Sequence, residues 1–293
     1  MDPSVAPQSK IDFIISLYSK GNFQHALDDV SDLINSFPDN PILHNINGAC
    51  HQGLGDLDSA VMSFQRAIAI NTDYSKAHYN LAGTFFELGK LEDSVKSYEL
   101  SLSIDPNYAE AHNNLGNVLR QLGDLDYALK SYKKAFKLDP NYVEAIFSAS
   151  IILQTLGQFE DMIEYLERVL ILKPNISEAH NNLGIALKEL GQYSKAITSY
   201  QKALEIQPNY LEAHNNLGNA FKNKNQNGLI FQRETRLYPL NSLRNKVLNR
   251  LLSDFDKIVH ISDFDSKEKE FVIPNQYVLP NIPIRIPPLG DLN

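Results

Sequence analysis

The sequence predicts an all-α protein built as a solenoid of helical hairpins. Three observations point there. A block of similar residues returns every 34 positions, apolar residues inside each block follow a helical period, and a glycine at mid-block and a proline at its end interrupt that period.

Self-comparison aligns segments that begin at Ser75, Ala109, Val143, Ser177 and Leu211. The run from Glu110 to Asn117 recurs almost letter for letter from Glu212 to Asn219. Counting outward gives an N-terminal tail at 1–6 and six full units at 7–40, 41–74, 75–108, 109–142, 143–176 and 177–210, followed by a degenerate seventh at 211–239. Gly21, Gly55, Gly89, Gly123, Gly157 and Gly191 end the first helix of each full unit. A residue free to take positive φ permits the sharp reversal needed there. Pro38, Pro106, Pro140, Pro174 and Pro208 stop the second helix because they have no N–H to continue it, and Thr72 takes that place once.

Small residues recur where the two helices must approach. Gly48, Ala82, Gly116, Ser150 and Gly184 supply them in the first helix, and Ala26, Ala60, Ser94, Ala128 and Ala196 in the second. Phe64, Tyr98, Tyr132, Leu166 and Tyr200 supply the bulk, so small and large positions alternate as close-packed helices about 8–10 Å apart require. The first unit places Lys10 and Asp12 at positions that are apolar or amide elsewhere, as expected of an N-terminal cap. In the seventh unit the turn is expected at 222–228, and the helix after it is expected to be distorted or absent, with Glu234 where alanine is usual. Leu243, Val247, Leu251 and Phe255 line one face of a C-terminal capping helix at 240–260. Prolines from Pro274 to Pro288 make 261–293 an extended proline-rich tail.

Composition narrows the function. A 293-residue chain with 43% hydrophobic and 21% charged residues can bury a core. The net charge of −8 argues against nucleic acid or an anionic membrane as partner, since both need a clustered positive field. No apolar run approaches the roughly 20 residues that cross a bilayer. The start shows no basic leader followed by an apolar stretch, and Cys50 stands alone, so the expected location is cytoplasmic.

No phosphate-cradling glycine loop, nucleophile elbow or zinc-protease motif is present. His44, His78, His112, His180 and His214 fall on one slot of successive units, about a helix spacing apart, and read as packed imidazoles rather than converging metal ligands. His260, Asp263 and Asp265 lack the second histidine that an iron site would need downstream. No catalytic residue, metal, cofactor or small-molecule substrate is expected.

With its 34-residue period, halting glycines and closing prolines, the chain resembles the tetratricopeptide repeat (TPR) family. That resemblance implies a right-handed superhelix whose first helices line a concave face. Asn80, Asn114, Asn182 and Asn216 share one slot of that face, with Asn45, Asn113, Asn181 and Asn215 at the slot before and Asn117 and Asn219 three later; Ile46 and Ser148 interrupt the first series. An asparagine offers both donors and an acceptor, so a row of them can grip the main chain of an extended peptide without reading its side chains. At about 1 kcal/mol per bond, less the cost of ordering the peptide, micromolar binding is expected. Arg120 and Lys188 lie along the same face near Glu110, Glu144, Glu178 and Glu212, so no strong charge preference is expected. The ladder is similar to the one lining the peptide-binding repeat arm of O-linked N-acetylglucosamine transferases. A lysine-based carboxylate clamp is not expected, because Asn45, Tyr79, Asn113 and Phe147 occupy the slot of its first lysine. The function expected is a non-catalytic scaffold for protein or peptide partners. The alternative is the substrate-recruiting arm of a glycosyltransferase whose catalytic part is missing or on another chain.

Overall fold

The computed structural model describes residues 6–234, with side chains described as far as Lys224. The chain divides into two units, 1–227 and 228–293, and the helical hairpins belong to the first. The expected capping helix and proline-rich tail, and all but the last residue of the N-terminal tail, lie outside the described residues.

Six helical hairpins follow one another: α1 (Gln8–Ser19) with α2 (Phe23–Ser36), α3 (Pro41–Gly53) with α4 (Leu57–Ile70), α5 (Ser75–Glu87) with α6 (Leu91–Ile104), α7 (Ala109–Leu122) with α8 (Leu125–Leu138), α9 (Val143–Thr155) with α10 (Phe159–Leu172), and α11 (Ser177–Glu189) with α12 (Tyr193–Ile206). A longer helix, α13 (Leu211–Glu234), comes last, and there is no strand among the described residues. Each hairpin helix packs on the next in sequence, so the unit is an α-solenoid.

The hairpin turns are made as the sequence predicts. All six halting glycines have positive φ, from 70° at Gly157 to 84° at Gly123. At Gly123 the chain reverses while its own N–H bonds Arg120 O at 3.1 Å and the next N–H bonds Leu119 O at 2.9 Å, which caps the carbonyls that α7 leaves open.

Within a hairpin, small residues seat large ones. A Cβ placed on Gly48 would come within 2.7 Å of the Phe64 ring, on Gly116 within 2.7 Å of Tyr132, and on Gly184 within 2.5 Å of Tyr200. All three rings are fully buried. In α6, Ser94 fits the same crossing by donating from its hydroxyl to Ala82 O at 2.8 Å.

The loop between hairpins is held at both ends. Asp105 and Asp139 each accept from the N–H two residues on, at 3.0 Å, forming a tight turn beside the closing proline. Six residues after the closing position the recurrent histidine reaches back. His44, His112, His180 and His214 donate from Nε2 to the carbonyls of Pro38, Pro106, Pro174 and Pro208 at 2.8–3.1 Å, and His78 does the same to Thr72 O at 3.1 Å. The imidazoles are therefore packed, as expected, and they also lock five of the six inter-repeat loops; after Pro140 the slot holds Ile146, and Arg168 donates to Pro140 O at 2.7 Å instead.

One expectation fails in the described residues. The seventh unit has no turn at 222–228: α13 runs unbroken through those positions to Glu234. The residue 34 places after Gly191 is Asn225, so the position that must reverse the chain lacks its glycine. With nothing to favour positive φ, the helix continues. Leu217 and Ala220 of α13 join Leu187, Ala196 and Tyr200 in one buried cluster, so its first turns close the last hairpin's core.

Candidate functional site

Beyond the hairpin contacts, α1 meets α3, α3 meets α5, and α5 meets α7. In a curved stack, elements that approach their second neighbours lie on the inner side, so the first helices line the groove. The residues facing it are those at fixed slots of each first helix, which the 3.6-residue period brings to one face.

The structure sorts the predicted asparagines into two groups. Asn45, Asn113 and Asn181 are buried, at 7%, 7% and 0% exposure, in the seam between adjacent first helices. Asn80, Asn114, Asn117, Asn182 and Asn216 are half-buried, and Asn215 and Asn219 are exposed. The two groups bond to each other across the seam. Asn80 donates from Nδ2 to Asn45 Oδ1 at 2.9 Å, and Asn216 to Asn181 Oδ1 at 3.0 Å. Where Tyr79 replaces the deeper asparagine, its hydroxyl accepts from Asn114 at 2.9 Å. Part of what the sequence assigns to a ligand thus ties one repeat to the next.

The ladder breaks at α9. Ser148 and Phe147 stand where the asparagines would, so Asn113 turns to Asn114 Oδ1 at 3.2 Å and its own Oδ1 is buried with no protein partner. Ile151 and Ile185 make the groove more apolar there. The same change orphans a hydroxyl. Tyr132 donates to Asn117 Oδ1 at 2.8 Å, whereas Tyr200 meets Ile185 at the matching position and its buried hydroxyl has no partner.

The two predicted cations differ. Lys188 is paired with its neighbour Glu189 at 2.8 Å. Arg120 is exposed and, by charge and a hydrogen bond, partly offsets the rise that burial imposes on the Tyr132 hydroxyl.

Three of the predicted asparagines meet in one recess. Asn80, Asn114 and Asn117 line a cavity of about 300 Å³ between α3, α5 and α7. Its remaining wall includes Gln52, Tyr79, Gly83, Phe86, Glu87 and Tyr98, none of which the sequence assigns to the groove site. Tyr79 is fixed there by stacking on Tyr108, with centroids 4.7 Å apart, and by an edge contact with Tyr98 at 5.7 Å. Burial pushes both the Tyr79 and Tyr98 hydroxyls up. The signal that could have found this recess is Gly83 itself: its slot holds Ile15, Ala49, Asn117, Ile151, Ile185 and Asn219 in the other units.

No cluster of three or more His, Cys, Asp or Glu among the described residues could hold a metal ion. Cys50 is buried, and burial pushes its thiol up to about 11, far from a reactive thiolate. No described helix is long and apolar enough to cross a membrane.

Comparison with known proteins agrees with this architecture. Family models described as TPR repeat match residues 84–123 and 186–225, and models described as tetratricopeptide repeat match 109–142, 143–176 and 165–198. The hairpins before residue 84 carry the same positive-φ glycines. Residues 84–225 are tetratricopeptide repeats. Among solved structures it is similar to YrrB, described as a TPR protein with an unusual peptide-binding site, at 20% identity and a TM-score of 0.58 over 63% of this chain and 95% of that one. It is also similar to PilF of Pseudomonas aeruginosa (15% identity, TM-score 0.63, 71% of this chain and 95% of that one) and to MamA (21% identity, TM-score 0.54, 57% and 92%). No curated protein sequence matches the chain.

Proposed function

We propose that this protein is a non-catalytic scaffold that holds extended segments of a protein partner in the groove of its first helices. The observation that carries the reading is the recess between α3, α5 and α7, where half-buried amides converge beside aromatic walls. Asn80 and Asn114 each spend one N–H on the seam and keep the other, so they are held in place yet can still bond a ligand main chain. A rigid amide loses little entropy on binding, which favours affinity more than an added but mobile contact would. The unusual peptide-binding site of YrrB, a protein of similar fold, is in keeping with this reading.

A pull-down comparing wild type with a variant carrying Asn80→Ala, Asn114→Ala, Asn182→Ala and Asn216→Ala tests the reading. Partner recovery should fall at least tenfold, an effect of about 1.4 kcal/mol. Three of these amides also bridge helices, so circular dichroism must show the helical signal retained, and Asn219→Ala, on the exposed face of α13, serves as a second variant free of that burden. Unchanged recovery by a folded fourfold variant refutes groove binding.

A further inference from the structure

We propose that the recess opened by Gly83 receives a lysine or arginine side chain from the bound polypeptide and pairs its charge with Glu87. This rests on the groove reading and adds a chemical preference that the mixed charge of the groove sequence does not suggest.

The recess exists because of one residue. A Cβ on Gly83 would meet Tyr98 Oη at 3.6 Å and Gln52 Nε2 at 4.0 Å, ordinary contacts, so a methyl would fit there whereas a longer side chain would extend into the recess that Gly83 lines. In α9 and α11 the same slot carries Ile151 and Ile185, and in α7 Asn117, each with a side chain that Gly83 lacks.

The chemistry of the wall selects a cation. Among the described residues, Glu87 is the one charged group lining the recess. Gln52 donates from Nε2 to Glu87 Oε1 at 2.6 Å, which fixes the carboxylate across two first helices and leaves Oε2 to accept. Asn80 gives its N–H to Asn45, so its Oδ1 is a second acceptor without a bond among the described residues. A lysine ammonium has three donors and no acceptor and matches this pair, and an arginine fork matches it as well. Tyr79, Phe86 and Tyr98 offer apolar wall to the aliphatic stem. A carboxylate in the same place would face Glu87 with no cation beside it. An apolar side chain would cover the amides without bonding them.

Selection of random short peptides displayed on phage, on wild type, Glu87→Gln and Gly83→Ile, tests the proposal. Peptides retained by wild type should share a lysine or arginine at one position. In a synthetic peptide of the selected sequence, replacing that lysine by norleucine should weaken binding to wild type about tenfold, the size expected of a charge-assisted bond. The same replacement should change binding to Glu87→Gln by about twofold or less, because the partner charge is gone. Gly83→Ile should select peptides without the basic position. Glu87 is exposed, so its substitution leaves the core untouched if the isoleucine variant fails to fold. Selected peptides with no shared basic position, or an equal loss from norleucine on wild type and Glu87→Gln, would overturn the pocket assignment and leave the groove standing. Equal retention by the fourfold asparagine variant would overturn both.

Discussion

Gly184→Ala and Gly83→Ala make the same change one helical position apart in equivalent helices, and the structure assigns them opposite signs. At Gly184 the new Cβ would sit 2.5, 2.7 and 2.8 Å from three atoms of the Tyr200 ring. That ring is fully buried and cannot swing aside, so the hairpin must open. Overpacking of this kind costs about 1–3 kcal/mol, and three simultaneous clashes place it near the upper end. Alanine returns about 1 kcal/mol through its helical preference, for a net loss of about 2 kcal/mol. At Gly83 the nearest atom is 3.6 Å from the new Cβ, an ordinary contact, so only the helical gain of about 0.5–1 kcal/mol remains. Urea unfolding followed by far-ultraviolet circular dichroism should therefore move the midpoint down for Gly184→Ala and slightly up for Gly83→Ala. Thermal midpoints should fall by about 4–8 °C and rise by about 1–4 °C respectively. A Gly184→Ala variant as stable as wild type, or a Gly83→Ala variant less stable than it, would refute the close-packing account.

Other outcomes follow from single contacts. Tyr200→Phe removes a buried hydroxyl with no partner and should be neutral or stabilising by up to about 1 kcal/mol, whereas Tyr132→Phe strips Asn117 of its donor and should cost about 1 kcal/mol, both read by urea unfolding. Burial, opposed by the bonds to Pro106 and Pro174, holds His112 and His180 below their ordinary value of 6.5. The unfolded chain then takes up protons first, so stability is present above pH 6.5 and is lost as pH falls through that value towards the lowered folded ones. Unfolding midpoints measured between about pH 7.5 and about pH 5.5 should show the decline, and His112→Gln with His180→Gln should flatten it. Gly157→Ala, at a φ of 70° with nothing within 4 Å, should cost about 1–2 kcal/mol from backbone strain alone, and Gly157→Asn clearly less.

The sequence by itself determined the hairpins, because their causes are local or recur at a fixed offset. A glycine that must reverse the chain, a proline that cannot extend a helix, and a small residue 16 places before a ring, as Gly116 lies before Tyr132, are visible within a single repeat such as 109–142. The break at α13 was legible only in part. The missing turn glycine at Asn225 is in the sequence, but whether the chain then bends or runs on is decided by the helix already formed behind it.

The tertiary structure alone decided how the groove is furnished. Asn45 and Asn80 look alike in sequence, yet one is buried in the seam and the other lines the recess, because contacts between first helices join residues 35 apart across two hairpins. The angle at which one hairpin sits on the next sets those pairings, and no single repeat encodes it. The same angle turns the lost side chain of Gly83 into a cavity beside Glu87, which only the packed array can form.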